Sequence, residues 1–358
     1  MVTRNASRFA VVIAFISGFS LSAPALSQNA PAPAQGKVVG LAFVGRTVGD
    51  LDRSVAYYEA IGFKQDPAAN SDWRRDEVVE GLYGASGFTT RMAKMYVDNK
   101  ASGARFVVYL RQLKGLKQKN MSNHTAWEPG ATHFGIAVPD ARALWGQLQA
   151  SGHLRARSWG GKLIFPPGQT QGALAYATDP DGLDVEIFDQ RPALPPIDGR
   201  PRPALLPGVS HVGVVTLDIA KARGFYEGLL GGQATSKESP WVQGDFYDSA
   251  TGGHGNILRF CFLSFPEAAA PASRLNFELV EYQNRKKPIE PHNITDIGVA
   301  YVGFEVQGLD AFLARAIAAG AKPVSTSGIM TMRSGTREIM VRDPDVGGFV
   351  LLYEHPKK

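Results

Sequence analysis

The stretch SHVGVVTLD at residues 210–218 decides the fold, because the chain contains a second version of it. Residues 42–50 read AFVGRTVGD, the same pattern of apolar residues around a glycine, 168 positions earlier. Another pair of stretches keeps this offset, since HFGIAV at 133–138 matches YVGFEV at 301–306. The chain is therefore a tandem duplication in which each half holds two similar units.

The four units, numbered 1 to 4, lie at about residues 38–113, 131–190, 209–283 and 297–355. Each opens with a short apolar strand and continues into an amphipathic helix, with Asp50 and Asp218 as predicted N-caps. Shorter strands follow, so that each unit reads strand–helix–strand–strand–strand, an α+β pattern. Because one such unit cannot cover its own sheet, we expect the units to pair.

The chain begins with the features of a secretory signal peptide. Arg4 and Arg8 precede an apolar run, and residues 25–27 (ALS) supply the small side chains of a cleavage site. We therefore predict a signal peptide at 1–27, an Ala/Pro linker at 28–37, a first pair of units at 38–190, a Pro-rich linker at 191–208 and a second pair at 209–356. A cleaved signal predicts a periplasmic or secreted protein.

Charge and cysteine content limit the partners. The formal net charge of +5 falls to +3 when residues 1–27, with their two arginines and no acidic residue, are removed. This charge is too small to indicate a nucleic-acid partner. Cys261 is the only cysteine, so no internal disulfide can form, and its apolar strand predicts a buried thiol. We expect no membrane association after signal removal, a small-molecule substrate, and a monomer or homodimer.

Residues 50–63 (DLDRSVAYYEAIGF), the Asp-Pro-Asp turns at 179–181 and 343–345, and Glu186 beyond the first turn resemble the vicinal oxygen chelate superfamily. This group includes glyoxalase I, extradiol dioxygenases, methylmalonyl-CoA epimerase and the bleomycin- and fosfomycin-resistance proteins. The resemblance covers nearly all of the chain after the signal. It implies four βαβββ modules that pair into two eight-stranded, open barrel-like sheets, the glyoxalase/dioxygenase fold. The concave face of such a sheet can hold a divalent metal.

In this superfamily each unit can supply one metal ligand from its first strand and one from its last. The resemblance therefore implies first-strand positions at Phe43, His133, His211 and Tyr301. It implies last-strand positions at Tyr109, Glu186, Glu278 and Val350. Units 2 and 3 thus each keep a His and a Glu, whereas units 1 and 4 keep neither.

This uneven distribution bears on how the units pair. Sequential pairing, 1 with 2 and 3 with 4, would give two half-sites and agrees with the Pro-rich linker at 191–208. Crossed pairing, 2 with 3 and 1 with 4, resembles fused glyoxalase I chains and would give one complete site and one apolar face. We favour crossed pairing, with a six-coordinate site that keeps two open positions. The implied metal ligands are His133, Glu186, His211 and Glu278. Imidazole and carboxylate suit Zn²⁺, Ni²⁺, Co²⁺, Mn²⁺ or Fe²⁺ without choosing among them.

The resemblance implies three functions. The first is a glyoxalase I-like lyase or isomerase, or an epimerase, in which the metal acts as a Lewis acid and Glu186 or Glu278 is the catalytic base beside a carbonyl. The second is an extradiol-type dioxygenase, which would need further pocket His and Tyr residues. The third is a metal-free binding or sequestration protein of the resistance type. Its apolar pocket could include Trp73, Trp241, Phe246 and Tyr247.

Each candidate also has a purely structural interpretation. A lone His or Glu in a strand is more often hydrogen-bonded or solvated than a metal ligand. Phe43 and Tyr301 are expected to fill a core. The remaining histidines are expected to be solvated, with the rim of a pocket as the alternative for the first and third: His124, His153, His254, His292 and His355.

Overall fold

The computed structural model describes residues 36–99, 104–170, 172–189, 208–287 and 289–356. The signal peptide predicted at 1–27 lies outside these residues, as do all but the ends of the two predicted linkers.

Units 1, 3 and 4 follow the predicted order of elements, with an added helix in units 1 and 3, whereas unit 2 has only two strands after its helix. Unit 1 consists of β1 Lys37–Val48, α1 Leu51–Ala60, β2 Lys64–Gln65, β3 Ser71–Arg75, α2 Glu77–Leu82, β4 Thr89–Asn99 and β5 Ala104–Lys114. Unit 2 consists of β6 Thr132–Val138, α3 Ala141–Ala150, β7 Leu174–Thr178 and β8 Asp184–Asp189. Unit 3 consists of β9 Gly208–Thr216, α4 Ile219–Arg223 with a π-helical continuation Gly224–Leu229, β10 Gln233–Ala234, β11 Val242–Gln243, α5 Asp245–Thr251, β12 Ile257–Glu267 and β13 Ala270–Tyr282. Unit 4 consists of β14 Ala300–Gln307, α6 Leu309–Ala318, β15 Lys322–Pro323, β16 Met330–Thr331, β17 Arg337–Arg342 and β18 Phe349–Glu354.

The predicted helix caps are confirmed. The Asp50 carboxylate accepts hydrogen bonds from two backbone amides of the first turn of α1, at 3.0 and 3.1 Å. Asp218 does the same for α4 at 2.8 and 3.2 Å. These bonds satisfy amides that have no partner within the helix. In unit 2, the apolar residues 163–165 form only one isolated bridge, between Ile164 and Leu174, in place of a further strand.

The units pair in the crossed arrangement. Strand β6 of unit 2 runs antiparallel to β9 of unit 3, and β1 of unit 1 runs antiparallel to β14 of unit 4. Within every unit the first strand lies parallel to the last, as β6 does to β8 and β9 does to β13. The preference for crossed over sequential pairing is therefore confirmed, although the linker had pointed the other way.

Two open sheets result, joined within the described residues by a single bridge between Leu41 of β1 and Glu267 of β12. One has the order β2/β3–β4–β5–β1–β14–β18–β17–β15/β16. The other has the order β7–β8–β6–β9–β13–β12–β10/β11, and isolated bridges at Ala156 and Ile164 extend its unit 2 edge. The predicted α+β fold of two open, barrel-like sheets is confirmed.

The main core lies on the helix side of the sheets. Apolar residues that alternate along the strands, such as Phe134, Phe277 and Phe304, pack with Tyr58 of α1 and Phe312 of α6 in one continuous cluster. All five side chains are fully buried, so the whole apolar area of each contributes to stability. Because successive side chains alternate between faces, the positions between them point to the concave side.

The Asp-Pro-Asp turns join neighbouring units within each half. Each turn is folded by its first aspartate, as predicted, since Asp179 accepts the amides of Asp181 and Leu183 at 2.9 Å. In addition, Asp179 forms a buried ion pair with Arg46 of unit 1 at 2.9 Å. The equivalent turn of unit 4 binds unit 3, where Asp345 accepts the Leu217 amide at 2.8 Å. The sheets thus pair across the halves, while the turns fasten the units within a half.

Candidate metal centre

The site begins with a repeated local pattern of a ring residue followed two positions later by glycine. His133 on β6 lies opposite Gly213 on β9, and His211 on β9 lies opposite Gly135 on β6. A Cβ atom on either glycine would overlap the facing imidazole ring. Each strand therefore supplies one histidine and the space for the other.

The glutamates come from the neighbouring strands at the same level. Glu186 on β8 pairs with Gly135, and Glu278 on β13 pairs with Gly213. Their side chains meet the histidines across the β6–β9 seam. His133 Nε2 lies 2.9 Å from Glu278 Oε2, and His211 Nε2 lies 3.0 Å from Glu186 Oε2 and 3.7 Å from Glu278 Oε2. All four residues that the sequence nominated are brought together.

These four side chains fit a single metal ion. One ligand atom from each lies within 4.8 Å of all the others. Ligand atoms around an ion with bonds of about 2.1 Å lie about 3.0 Å apart at right angles and about 4.2 Å apart across it. His211 Nε2 is buried and, among the described residues, makes no hydrogen bond of good geometry, although Glu186 Oε2 lies 3.0 Å away. A buried nitrogen that is poorly satisfied in this way is costly unless a ligand completes it.

A neighbouring hydroxyl contacts the second ring nitrogen of His211. The Ser210 hydroxyl lies 2.8 Å from His211 Nδ1 and 3.2 Å from Gly135 O. When its hydrogen goes to the carbonyl, Ser210 can accept from Nδ1–H, which is the protonation that leaves Nε2 to bind a metal.

Electrostatics reflect the closeness of these groups. Burial alone would lower the pKa of His211, but the carboxylates of Glu186 and Glu278 outweigh it and raise that pKa. Burial opposes the ionised form of Glu186, yet the two histidines and the Tyr176 hydroxyl hold its pKa below the usual value. Burial and the nearby carboxylates raise the pKa of Tyr176, so its phenol keeps its proton.

The surroundings of the group include residues that sequence reasoning missed. The Tyr176 hydroxyl donates to Glu186 Oε2 at 3.4 Å. Burial raises the pKa of Tyr282, and the charge of Glu278 adds to this effect. Phe262 contacts the His211 ring edge-on, with 5.9 Å between ring centroids. Tyr176 on β7 lies directly opposite Glu186 on β8 and on the same face. Only the register of these two strands, which the sequence does not contain, could have identified it.

The concave face of units 1 and 4 carries no such group within the described residues. Phe43 lies opposite Gly303 and Tyr301 lies opposite Gly45, so the ring-over-glycine pattern is kept without any metal ligand. Tyr109 pairs with Gly45, as predicted. The rings form a core, confirmed by contacts of Phe43 with Tyr109 and Tyr301 at 4.8 and 6.1 Å between centroids.

Two sequence-based assignments are wrong. Leu351, not Val350, pairs with Gly303, so Leu351 occupies the fourth last-strand position and Val350 points into the helix-side core. His124 was expected to be solvated, but its side chain is 8% exposed, with Nε2 3.7 Å from Asp184. Its Nδ1 contacts Met121 O at 2.9 Å.

The buried thiol predicted for Cys261 is confirmed, and burial raises its pKa to about 12.

Comparisons with known proteins agree with this fold. Residues 208–347 match the family described as the Glyoxalase/Bleomycin resistance protein/Dioxygenase superfamily. Glyoxalase I from Zea mays is 19% identical, with a TM-score of 0.53 over 89% of this chain and 92% of that chain. A mutant of the same Zea mays enzyme gives a TM-score of 0.55 at 19% identity, with coverage of 89% and 92%. No curated protein matches the chain.

The predicted resemblance to the vicinal oxygen chelate superfamily is confirmed. Units 3 and 4 match the family directly, and units 1 and 2 repeat their fold. The likeness to the Zea mays structures establishes the fold over nearly the whole chain. None of the described helices combines the length and hydropathy needed to cross a bilayer.

Proposed function

We propose that this protein is a metal-dependent lyase or isomerase of the glyoxalase I type, or an epimerase, which moves a proton on a carbon beside a carbonyl. The observation that carries the proposal is the meeting of His133, Glu186, His211 and Glu278 within 4.8 Å. A divalent ion of the Zn²⁺, Ni²⁺, Co²⁺, Mn²⁺ or Fe²⁺ class would act there as a Lewis acid on vicinal oxygens of a small substrate. Two histidines and two carboxylates leave room for such oxygens.

The two glutamates differ in their contacts, and this difference supports different catalytic roles. Glu278 lies between both histidines, at 2.9 and 3.7 Å, and is the better placed to stay on the ion. Glu186 contacts only His211 among the four but also accepts from Tyr176 at 3.4 Å. A Glu186 carboxylate that turns toward the substrate would keep Tyr176 as a partner. We therefore assign the general base to Glu186, and the Tyr176 phenol orients it.

An extradiol-type dioxygenase is the second candidate. It is favoured by one observation, the presence of two phenols, Tyr176 and Tyr282, beside the His/Glu group. The third candidate, a metal-free sequestration protein, is supported by the half-buried Phe260 and Phe262 on the unit 3 side. Metal content separates the third candidate from the others, and consumption of O₂ with catechols identifies the second.

The test of the proposal is proton exchange. Purified protein with added Ni²⁺ or Zn²⁺ is incubated in D₂O with a panel of α-hydroxycarbonyl compounds and hemithioacetals, and exchange beside the carbonyl is followed by NMR. Glu186→Gln should lower the exchange rate about 10²- to 10⁴-fold. Glu338→Gln, which changes a glutamate on the other concave face, should leave it unchanged. Equal exchange with and without metal, or in Glu186→Gln, would contradict the proposal.

The cellular location is part of the proposal. The signal-like segment at 1–27 supports export to the periplasm or beyond, and the fused units support a monomer that completes its own site, with a homodimer as the alternative. N-terminal sequencing of the protein recovered from a periplasmic fraction tests the first point. Retention of the intact segment in the cytoplasm would contradict it.

A further inference from the structure

The concave face that carries the metal-ligand group continues into a basic edge. Glu186 on β8 pairs with Tyr176 on β7, and the Arg157 amide donates to Tyr176 O at 2.8 Å. Ala156, between two arginines, bridges to Ala177 of the helix-side core. Alternation therefore places Arg155 and Arg157 on the same face as Glu186, about 10 Å or two strand spacings away.

A cleft lies at this edge. Its volume is about 320 Å³, and its lining includes Arg155, Arg157, Ser122, Asn123, Thr178 and Gly182. Thr178 pairs with Asp184, which in turn pairs with His133. The cleft and the metal-ligand group are thus joined by one continuous row of concave-face residues.

The cleft has one cation that no carboxylate balances. Arg157 Nε forms an ion pair with Asp184 and its Nη2 donates to Gly182 O at 3.4 Å. Arg155 donates to Pro180 O at 3.1 Å, and in the part of the chain that the structure describes no carboxylate forms an ion pair with it. The nearby turn carboxylate of Asp181 is bound to Arg53 of unit 1 at 3.0 Å. The two acidic neighbours, Asp181 and Asp184, are thus each paired with another arginine, and Arg155 is the cation of the cleft without an acidic partner among the described residues.

The opposite side of the metal-ligand group has a different character. Phe262 pairs with Glu278, and Phe260 follows on the same face, 5.9 Å from Phe262 between ring centroids. Both rings are only partly buried. The four ligands therefore stand between an apolar wall from unit 3 and a basic cleft from unit 2.

We propose that this cleft binds an anionic group of the substrate, a carboxylate or a phosphate, while the apolar wall contacts the rest of the molecule. The proposal rests on the proposed function for the reactive end of the substrate. Arginine suits such a group because its planar guanidinium donates two parallel hydrogen bonds to paired oxygens. The substrate class is thus a vicinally oxygenated compound with an anionic tail about two strand spacings, or about 10 Å, from the reacting carbon.

The test compares two probes that differ only in charge. Protein with added Ni²⁺ is titrated calorimetrically with 3-(3,4-dihydroxyphenyl)propionate and with its methyl ester. The acid should bind about tenfold more tightly than the ester, as one charge-assisted contact implies. Arg155→Gln should abolish that difference and leave ester binding unchanged. Arg142→Gln, which removes the same charge from helix α3 of the same unit, should preserve it.

Separate arms distinguish the possible failures. Inorganic phosphate and acetate are titrated without added metal, and the anion that binds in wild type but not in Arg155→Gln identifies the source of the charge. Equal binding of acid and ester with a full complement of metal, or anion binding that survives Arg155→Gln, would overturn the subsite alone. Failure of both probes and of metal uptake would overturn the proposed function, and the metal-free anion titration would still decide the subsite.

Discussion

The two concave faces of this molecule share one backbone design and differ in what it carries. In both, a ring residue on each central strand lies over a glycine of the partner strand. In units 2 and 3 the rings are imidazoles and the adjacent strands add two glutamates. In units 1 and 4 the rings are Phe43 and Tyr301, and Tyr109 and Leu351 stand where the glutamates would be.

This difference teaches that the ring-over-glycine pattern is a packing solution first. A glycine is needed wherever two central strands must each place a large ring over the other. In units 2 and 3 the four positions carry polar side chains and form a ligand group. In units 1 and 4 they carry aromatic or apolar side chains and pack into a core beside Tyr83 and Met340. The fold is the same in each case, and the side chains alone decide the chemistry.

Removal of one histidine should have the largest effect on the difference in metal binding between the two concave faces. His133→Ala or His211→Ala should each lower metal affinity at least about 100-fold, because one ion depends on ligands from both strands. Phe43→Ala, the matched change on the other face, should cost stability and leave metal uptake intact. Equilibrium dialysis with metal analysis measures both. Near-unit metal retained in either histidine variant would show that the units do not share a site.

The facing glycines offer a matched pair of variants. Gly135→Ala would push a Cβ into the His211 ring, and Gly303→Ala would push one into the Phe43 ring. Both should lose about 1–3 kcal/mol of unfolding free energy through overpacking. Only Gly135→Ala should also weaken metal binding, by about tenfold or more, since it displaces a ligand. Equal metal affinity in the two variants, measured by competition with a chromophoric chelator, would contradict the assignment.

Ser210 tests the orientation of His211. Ser210→Ala removes the acceptor of Nδ1–H, so metal affinity should fall about 10- to 100-fold while the fold persists. Unit 1 has Ala42 at the equivalent position, and Ala42→Ser should change nothing, because no imidazole follows it. An unaltered affinity in Ser210→Ala would mean that strand packing alone orients the ring.

The smallest expected effect is a pH dependence of the unfolding free energy, caused by Glu338 on the concave face of units 1 and 4. Burial raises the pKa of Glu338 to about 7, although Arg111 partly opposes this. A carboxyl with a raised folded-state pKa destabilises the protein as it ionises, so its cost appears between about pH 4.5 and 7. The stability that Glu338→Gln gains over wild type should therefore be about 1–2 kcal/mol larger at pH 8 than at pH 5. Chemical denaturation at the two pH values checks this, and a constant difference would contradict it.

The repeat made much of this account predictable. The 168-residue offset aligns unit 1 with unit 3 and unit 2 with unit 4, which identified the caps Asp50 and Asp218 and all four first-strand positions. The His/Glu asymmetry favoured crossed pairing, because only that arrangement collects four ligands. The Asp-Pro-Asp turns were recognisable as turns, but their bonds to the preceding unit depend on tertiary contacts that no local pattern contains.

The errors have equally local causes. Val350 was chosen by counting from the turn, but the unit 4 turn is one residue longer: Asp343 N bonds Gly348 O, whereas Asp179 N bonds Leu183 O. One added residue moves a strand position to the other face. His124 was taken as solvated because it lies in a loop, yet that loop packs against Asp184 at the strand end. The sequence alone could not place Arg155 and Arg157 on the concave face, because only their pairing with β7 determines which face they occupy.

The central claim is that units 2 and 3 together complete one metal site and that units 1 and 4 complete none. Stoichiometric titration of the full protein, freed of metal and then supplied with Ni²⁺ or Zn²⁺, tests it most directly. The account predicts a single equivalent bound per chain, with X-ray absorption showing two imidazoles on the ion. Two equivalents of equal, weaker affinity, or no saturable binding, would contradict it.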